Sequence, residues 1–192
     1  MPFWRNRQRL LDSALVLISV AYPFFVYFGL MRFSPVTIGI VLVLFLGLRL
    51  WLQRGHKQKK LELGVYAIVL AALVILLLID GMLAIKAYPV IISLSFALVF
   101  GYSLIFPPTI IEKIARLREP DHDAYGVTYT RRVTVAWILF FVLNAIISLW
   151  TALYASLAVW TTYNGFISYI LIGLMFGGEY ILRQFVKQKK VS

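Results

Sequence analysis

Residues 131–155 read RRVTVAWILFFVLNAIISLWTALYA. Two arginines open a run, Val133 to Ala155, that carries no charge. About 20 mostly apolar residues are enough to take a helix across the hydrocarbon core of a bilayer. The run therefore reads as a spanning helix whose positive end is held at one membrane face. Five other segments repeat the pattern: Leu10–Met31, Pro35–Trp51, Leu61–Ile79, Tyr88–Phe106 and Tyr163–Ile181. Composition agrees. The 192 residues are 61% apolar and 14% charged, where soluble domains are about half apolar and a quarter charged. Mean hydropathy is +0.86. So small a chain has too much surface per volume to hide that apolar content in a soluble fold. Soluble, disordered and fibrous classes are excluded. The expected fold class is all-α: a polytopic membrane helical bundle of about six transmembrane helices, forming one domain over 1–192.

The formal net charge of +11 stands in contrast to such apolarity. Sorting the cations by loop resolves it. With six spans, all but Arg32 and Lys86 of the 19 basic residues fall on one side. Cytoplasmic loops collect Lys and Arg, so both termini are expected in the cytoplasm. Nothing resembles a DNA- or RNA-binding module, and no nucleic-acid partner is expected. The first segment has the basic start and apolar middle of a signal peptide, with Ser19-Val20-Ala21 as a weak cleavage site. Its apolar run continues to Leu30, which favours a retained anchor. Trp4, Trp51, Trp160, Tyr163 and Tyr180 lie near span ends, where amphipathic rings favour the headgroup level.

The segment between spans 4 and 5 is the richest soluble stretch. Pro107-Pro108 ends span 4, and Pro108 can start a new helix. Ile110, Ile111, Ile114 and Leu117 fall on one face of that helix, with Glu112, Lys113 and Arg116 opposite. The expectation is a short amphipathic helix in the interface, its basic residues toward lipid phosphates. Glu112 and Arg116 are i,i+4 partners. Asp121-His122-Asp123 would need distant ligands to hold a metal, and the only other histidine is His56. It reads as a solvated loop that continues through Tyr125–Arg132. Arg131 and Arg132 can grip a phosphate or carboxylate or simply anchor span 5. No metal and no cofactor are expected. The absence of cysteine removes disulfides, thiolate ligands and a Cys nucleophile.

Ionisable groups inside a bilayer point to function by default. Asp12, Arg49 and Glu62 lie near span boundaries, and Asp80 and Lys86 flank the turn between spans 3 and 4. Glu179 precedes Arg183 by one helical turn, so the two can pair. Gly173 and Gly177 form a GxxxG pattern, which lets helix backbones approach closely. Packing within the chain is the simplest expectation, and a homo-oligomer contact the other. Asn144 and Ser148 share a face of span 5 and Asn164 opens span 6; interhelical hydrogen bonds are expected of all three. No nucleophile elbow, P-loop, zinc-protease helix or Rossmann fingerprint is present.

The stretch Arg131-Arg132-Val-Thr-Val-Ala136-Trp137-Ile-Leu-Phe140-Phe141-Val-Leu-Asn144, followed by Trp160 and Tyr163-Asn164-Gly165, resembles the bacterial septation protein A family. The resemblance covers roughly 85–186. It implies a small inner-membrane protein tied to cell-envelope maintenance and division. Gly177-Gly178-Glu179-Tyr180 and Asp121-His122-Asp123 instead look like a related group, found with gene sets for acyl-carrier-based lipid or aryl-polyene synthesis. Neither group supplies catalytic residues. The leading expectation is a non-enzymatic scaffold or accessory protein of envelope or lipid biogenesis, in contact with membrane lipids and other membrane proteins. A second is a lipid- or acyl-handling enzyme or carrier with a cytoplasmic-face cluster of Glu112, Arg116, Arg131, Arg132, Glu179 and Arg183. A third is a small-molecule transporter with a polar path near Asn144, Ser148 and Asn164.

Overall fold

The computed structural model describes residues 24–53, 60–116 and 124–191; expectations for Trp4, Asp12, the candidate cleavage site, His56, Leu117 and Asp121-His122-Asp123 fall outside them. All regular structure among the described residues is helical. Helix α1 is described over 24–29. Ser34 then caps α2 (Pro35–Gln53), its Oγ accepting from the Thr37 N–H at 3.2 Å. Proline at the first helical position loses nothing, because that N–H has no helical partner anyway. Helix α3 (Lys60–Ile79) is separated from α4 (Gly81–Ile105) by Asp80 alone. The Asp80 carboxylate accepts from the N–H groups of Met82 (2.8 Å) and Leu83 (3.1 Å). This cap satisfies two of the four orphan donors of the helix start. It also starts α4 at Gly81, earlier than the apolar run from Tyr88 suggested.

Thr109 caps α5 (Ile110–Arg116) by accepting from the Glu112 N–H at 3.2 Å. Helix α6 (Ala124–Tyr154) has 31 residues, about 46 Å at 1.5 Å per residue. That exceeds a hydrocarbon core of about 30 Å. The stretch Tyr125–Arg132, expected as loop, is therefore the first turns of α6. Ser156 caps α7 (Leu157–Thr162), which passes through a π turn (Tyr163–Ile167) into α8 (Ser168–Val191). Among the described residues, three stretches are long and apolar enough to cross a membrane: Gly81–Ile105, Gly126–Tyr154 and Leu157–Gln184. Pro35–Leu48 and Ala67–Ile79 are shorter apolar helices.

Helix α4 is central, packed against α2, α3 and α6. Near the start of α4, Val26, Leu42, Leu73, Ile85, Tyr88, Ala152 and Trp160 form part of one core. Toward its end, Ala97, Trp137 and Phe141 form a second. Here Phe96 stacks on Phe141 with centroids 5.1 Å apart, and Trp137 meets Phe176 of α8 at 4.7 Å. Aromatic pairs at these spacings add about 0.5–1.5 kcal/mol beyond their buried area.

Two expectations change with the packing. Trp160 is 0% exposed and Tyr163 is buried, so neither faces outward as a lipid-facing anchor; both point inward to the hydrogen bonds described below. Trp51 and Tyr180 do face outward. On α5, Glu112 is only 4% exposed while Ile114 is exposed. The helix thus turns its Glu112–Ala115 side inward, because α5 lies against α6 and Arg116 neutralises the buried carboxylate.

The α2–α4 contact is tight. A Cβ on Gly81 would stand 3.2 Å from the Val36 backbone nitrogen and 3.1 Å from its Cγ2. One on Gly101 would meet nothing within 4 Å. Overpacking costs about 1–3 kcal/mol, whereas Gly to Ala inside a helix gains about 0.5–1 kcal/mol. Thermal unfolding in detergent should therefore show Gly81→Val clearly less stable than the parent and Gly101→Ala equal to it or better.

Candidate functional site: a buried polar layer

Between the two apolar cores lies a layer of polar side chains. Asn144 of α6 donates through Nδ2 to Ser93 Oγ on α4 at 2.9 Å, and its Oδ1 accepts from the Tyr163 hydroxyl at 3.0 Å. One turn along α6, Ser148 donates to Asn164 Oδ1 at 2.7 Å. Asn164 Nδ2 donates to the Trp160 carbonyl (2.9 Å) and to Thr151 Oγ1 (3.3 Å). Ser168 donates to the Asn164 carbonyl at 3.1 Å. Ser93, Asn144, Ser148, Thr151, Tyr163, Asn164 and Ser168 are all buried.

The π turn makes this layer work. Its wider winding lets the Ser168 N–H reach back to the Tyr163 carbonyl. Tyr163, Asn164 and Gly165 are buried in succession along it. Tyr163 reaches Asn144 while Asn164 reaches Ser148 and Thr151. Single π turns inside helices mark sites where local geometry has been adjusted.

At the α4 start, Lys86 Nζ donates to the Ala152 carbonyl at 2.8 Å and reaches that of Ala155 at 3.5 Å. These are carbonyls of the α6 C-terminus, where a cation is favoured. Trp160 Nε1 returns a bond to the Lys86 carbonyl at 3.1 Å. At the other end, Arg131 of α6 donates to the carbonyl of Leu104 in the last turn of α4 at 3.2 Å. The antiparallel pair α4–α6 is thus fastened at both ends, each helix lending a cation to the other's C-terminus.

The charged residues expected to act together take up separate engagements. Arg116 binds Glu112 Oε1 through Nε (2.9 Å) and Nη2 (2.7 Å). Arg131 holds Leu104, and Arg132 is exposed. Glu179 and Arg183 lie within electrostatic reach of Tyr129, whose hydroxyl contacts the Glu179 carbonyl at 3.4 Å. Gly173 and Gly177 are exposed, and an added Cβ would meet nothing within 4 Å. The GxxxG pattern therefore does not pack on another helix among the described residues, contrary to the intramolecular expectation: α8 turns this face away from α6.

Sequence reasoning singled out Asn144, Ser148 and Asn164 but missed Ser93, Thr151, Tyr163 and the Lys86–Trp160 interlock. Small polar residues within apolar spans were the available signal for Ser93 and Thr151. Tyr163 and Trp160 carried the same signal as interfacial anchors, so nothing local distinguished them.

Chemically, the layer joins helices: the Asn144 and Asn164 amides are engaged through both oxygen and nitrogen. Together, fold and layer define an all-α membrane protein with a hydrogen-bonded interior. Compared with protein-family models, curated proteins and solved structures, the chain matches none.

Removing Asn144 leaves a buried hydroxyl without a partner on each side, about 1–3 kcal/mol in a soluble core and nearer 0.6 in membrane bundles. Asn144→Leu and Tyr163→Phe should each lower thermal stability. The double variant should fall short of their sum by about 0.5–2 kcal/mol, as expected of residues in contact. Lys86→Met should cost more than Arg131→Met, since Lys86 is partly buried and Arg131 exposed. Melting curves of purified protein measure both comparisons.

Proposed function

We propose that this chain is a six-span protein of the bacterial inner membrane, both termini cytoplasmic, that acts without catalysis. Its role is that of a scaffold or accessory subunit in cell-envelope or lipid biogenesis or division. The observation that carries this reading is how the polar groups are used. Hydrophilic residues of the bundle bond to one another, and Lys86, Arg131 and Arg116 are spent on carbonyls or a carboxylate. Meanwhile the described residues leave the outer face of α8 uncovered: only 11% of the apolar window in Leu157–Gln184 is buried, against 33% for each of the other two. A largely hydrogen-bonded interior beside an open helix face suits a protein that holds neighbours in the membrane more than one that processes a substrate.

The resemblance to septation protein A-like proteins supports the envelope setting, through Ala136-Trp137 and Phe140-Phe141. Trp137 and Phe141 are buried at the α4–α6 contact, which gives those residue types a packing role. Other membrane proteins of envelope or lipid synthesis, together with lipids, are the proposed partners.

Mild-detergent pull-down with in-cell crosslinking is expected to recover such proteins; recovery of none would remove the scaffold reading. Topology is tested separately. The chain has no cysteine, so single cysteines report cleanly. Phe33→Cys, in the exposed α1–α2 turn, should react with an impermeant maleimide in spheroplasts. Lys113→Cys, exposed on α5, should react only after permeabilisation. The reverse pattern would invert the proposed orientation.

A further inference from the structure

The described part of α1 and the facing stretch of α2 do not close fully on each other. Between them lies a groove of about 770 Å³, with Phe28 and Arg32 on one side, Thr37, Val41 and Phe45 on the other, and Tyr88 of α4 also in its lining. That volume is in the range of sites for small molecules, about 300–1,000 Å³. From Thr37 to Phe45 the lining climbs about 12 Å along α2, so the groove runs lengthwise into the apolar segment. Its walls are almost entirely apolar. The cation at its end, Arg32, is exposed and forms no ion pair among the described residues. The Thr37 hydroxyl is engaged with Ser34 Oγ at 2.9 Å.

An apolar channel parallel to a membrane helix, closed by a cation at the level of the turn, has the distribution of polarity of a lipid: one chain below, one charged head above. Arg32 is one of only two cations expected on its side of the membrane, so it adds little to topology. A guanidinium suits a phosphate because its N–H groups pair with two oxygens at once. The aromatic and branched walls suit a methylene chain and offer nothing to a polar solute.

We propose that the groove holds one acyl chain of an anionic glycerophospholipid whose phosphate sits at Arg32, in the leaflet nearest the α1–α2 turn. The proposal rests on the chain being embedded in a membrane. It does not depend on the scaffold role, so a failed pull-down leaves it standing and a failed lipid test leaves the scaffold role standing.

The test is native mass spectrometry of the full chain, purified in mild detergent and titrated with phosphatidylglycerol or phosphatidylcholine. The parent should retain one phosphatidylglycerol per chain in preference to phosphatidylcholine. Arg32→Gln should weaken phosphatidylglycerol retention about fivefold, the worth of one basic residue near a lipid surface, and phosphatidylcholine retention less, because its choline already offsets the phosphate charge. Val41→Trp, which fills the groove from an exposed position, should abolish retention of both. Equal retention of both lipids by the parent, or no effect of Arg32→Gln, would overturn the headgroup assignment. A dimer mass lost in Val41→Trp would instead assign the groove to a second copy and overturn the proposal. Arg32→Gln changes only a surface side chain, so it decides the matter even if Val41→Trp does not fold.

Discussion

The antiparallel pair α4–α6 is closed at each end by a cation borrowed from the opposite helix, and the rest of the bundle is arranged around that pair. Lys86 covers the last carbonyls of α6, and Arg131 covers Leu104 near the end of α4. In a bilayer this matters more than in water. The last four carbonyls of a helix have no helical partner, and hydrocarbon supplies none. Fastening both ends fixes the register of the two helices. With the register fixed, Ser93 comes level with Asn144, and Ala97 with Phe141.

The register also explains why the third helix needs a π turn. The Trp160 bond to Lys86 holds α7 at the level of the α4 start. From there the chain must present a tyrosine to Asn144 and an asparagine to Ser148 within two consecutive residues. The widened turn spans both residues, and the helix resumes at Ser168. Adhesion between α6 and α8 then rests on hydrogen bonds in the middle and aromatic contacts of Trp137 with Phe176 below. Beyond them, α8 keeps little contact with the other described helices.

Much of this could be read from the sequence, and the parts that could not have physical reasons. Long uncharged runs betray the helices because only self-satisfied backbone survives in hydrocarbon. Boundaries were harder. Asp80 caps α4 by a local hydrogen bond that hydropathy does not register, and α6 extends below its apolar run because nothing in Thr128–Arg132 breaks a helix. Asn144 and Ser148 stood out as polar residues in an apolar run, yet their partners lie on other helices and depend on register. Trp160 and Tyr163 read as outward-facing anchors because an indole or phenol at a span end looks the same whether it points out or in. Glu112 was put on the wet face of α5 for a similar reason: periodicity gives a helix two faces but does not say which one meets a neighbour.

The charge distribution follows from the same accounting of partners. A net charge of +11 in so apolar a chain first suggests an acidic ligand. Yet Lys86, Arg116 and Arg131 each answer a carbonyl or carboxylate of this chain, so their contribution is internal even where it is counted as surplus. Formal charge overstates what such a protein offers to a partner, because backbone carbonyls at helix ends consume cations without appearing in the count of acids. Arg32 differs in having no such carbonyl or carboxylate among the described residues, and it stands at the mouth of an apolar groove. The lipid assignment therefore follows from the position of one cation beside an apolar groove, and the total charge plays no part in it.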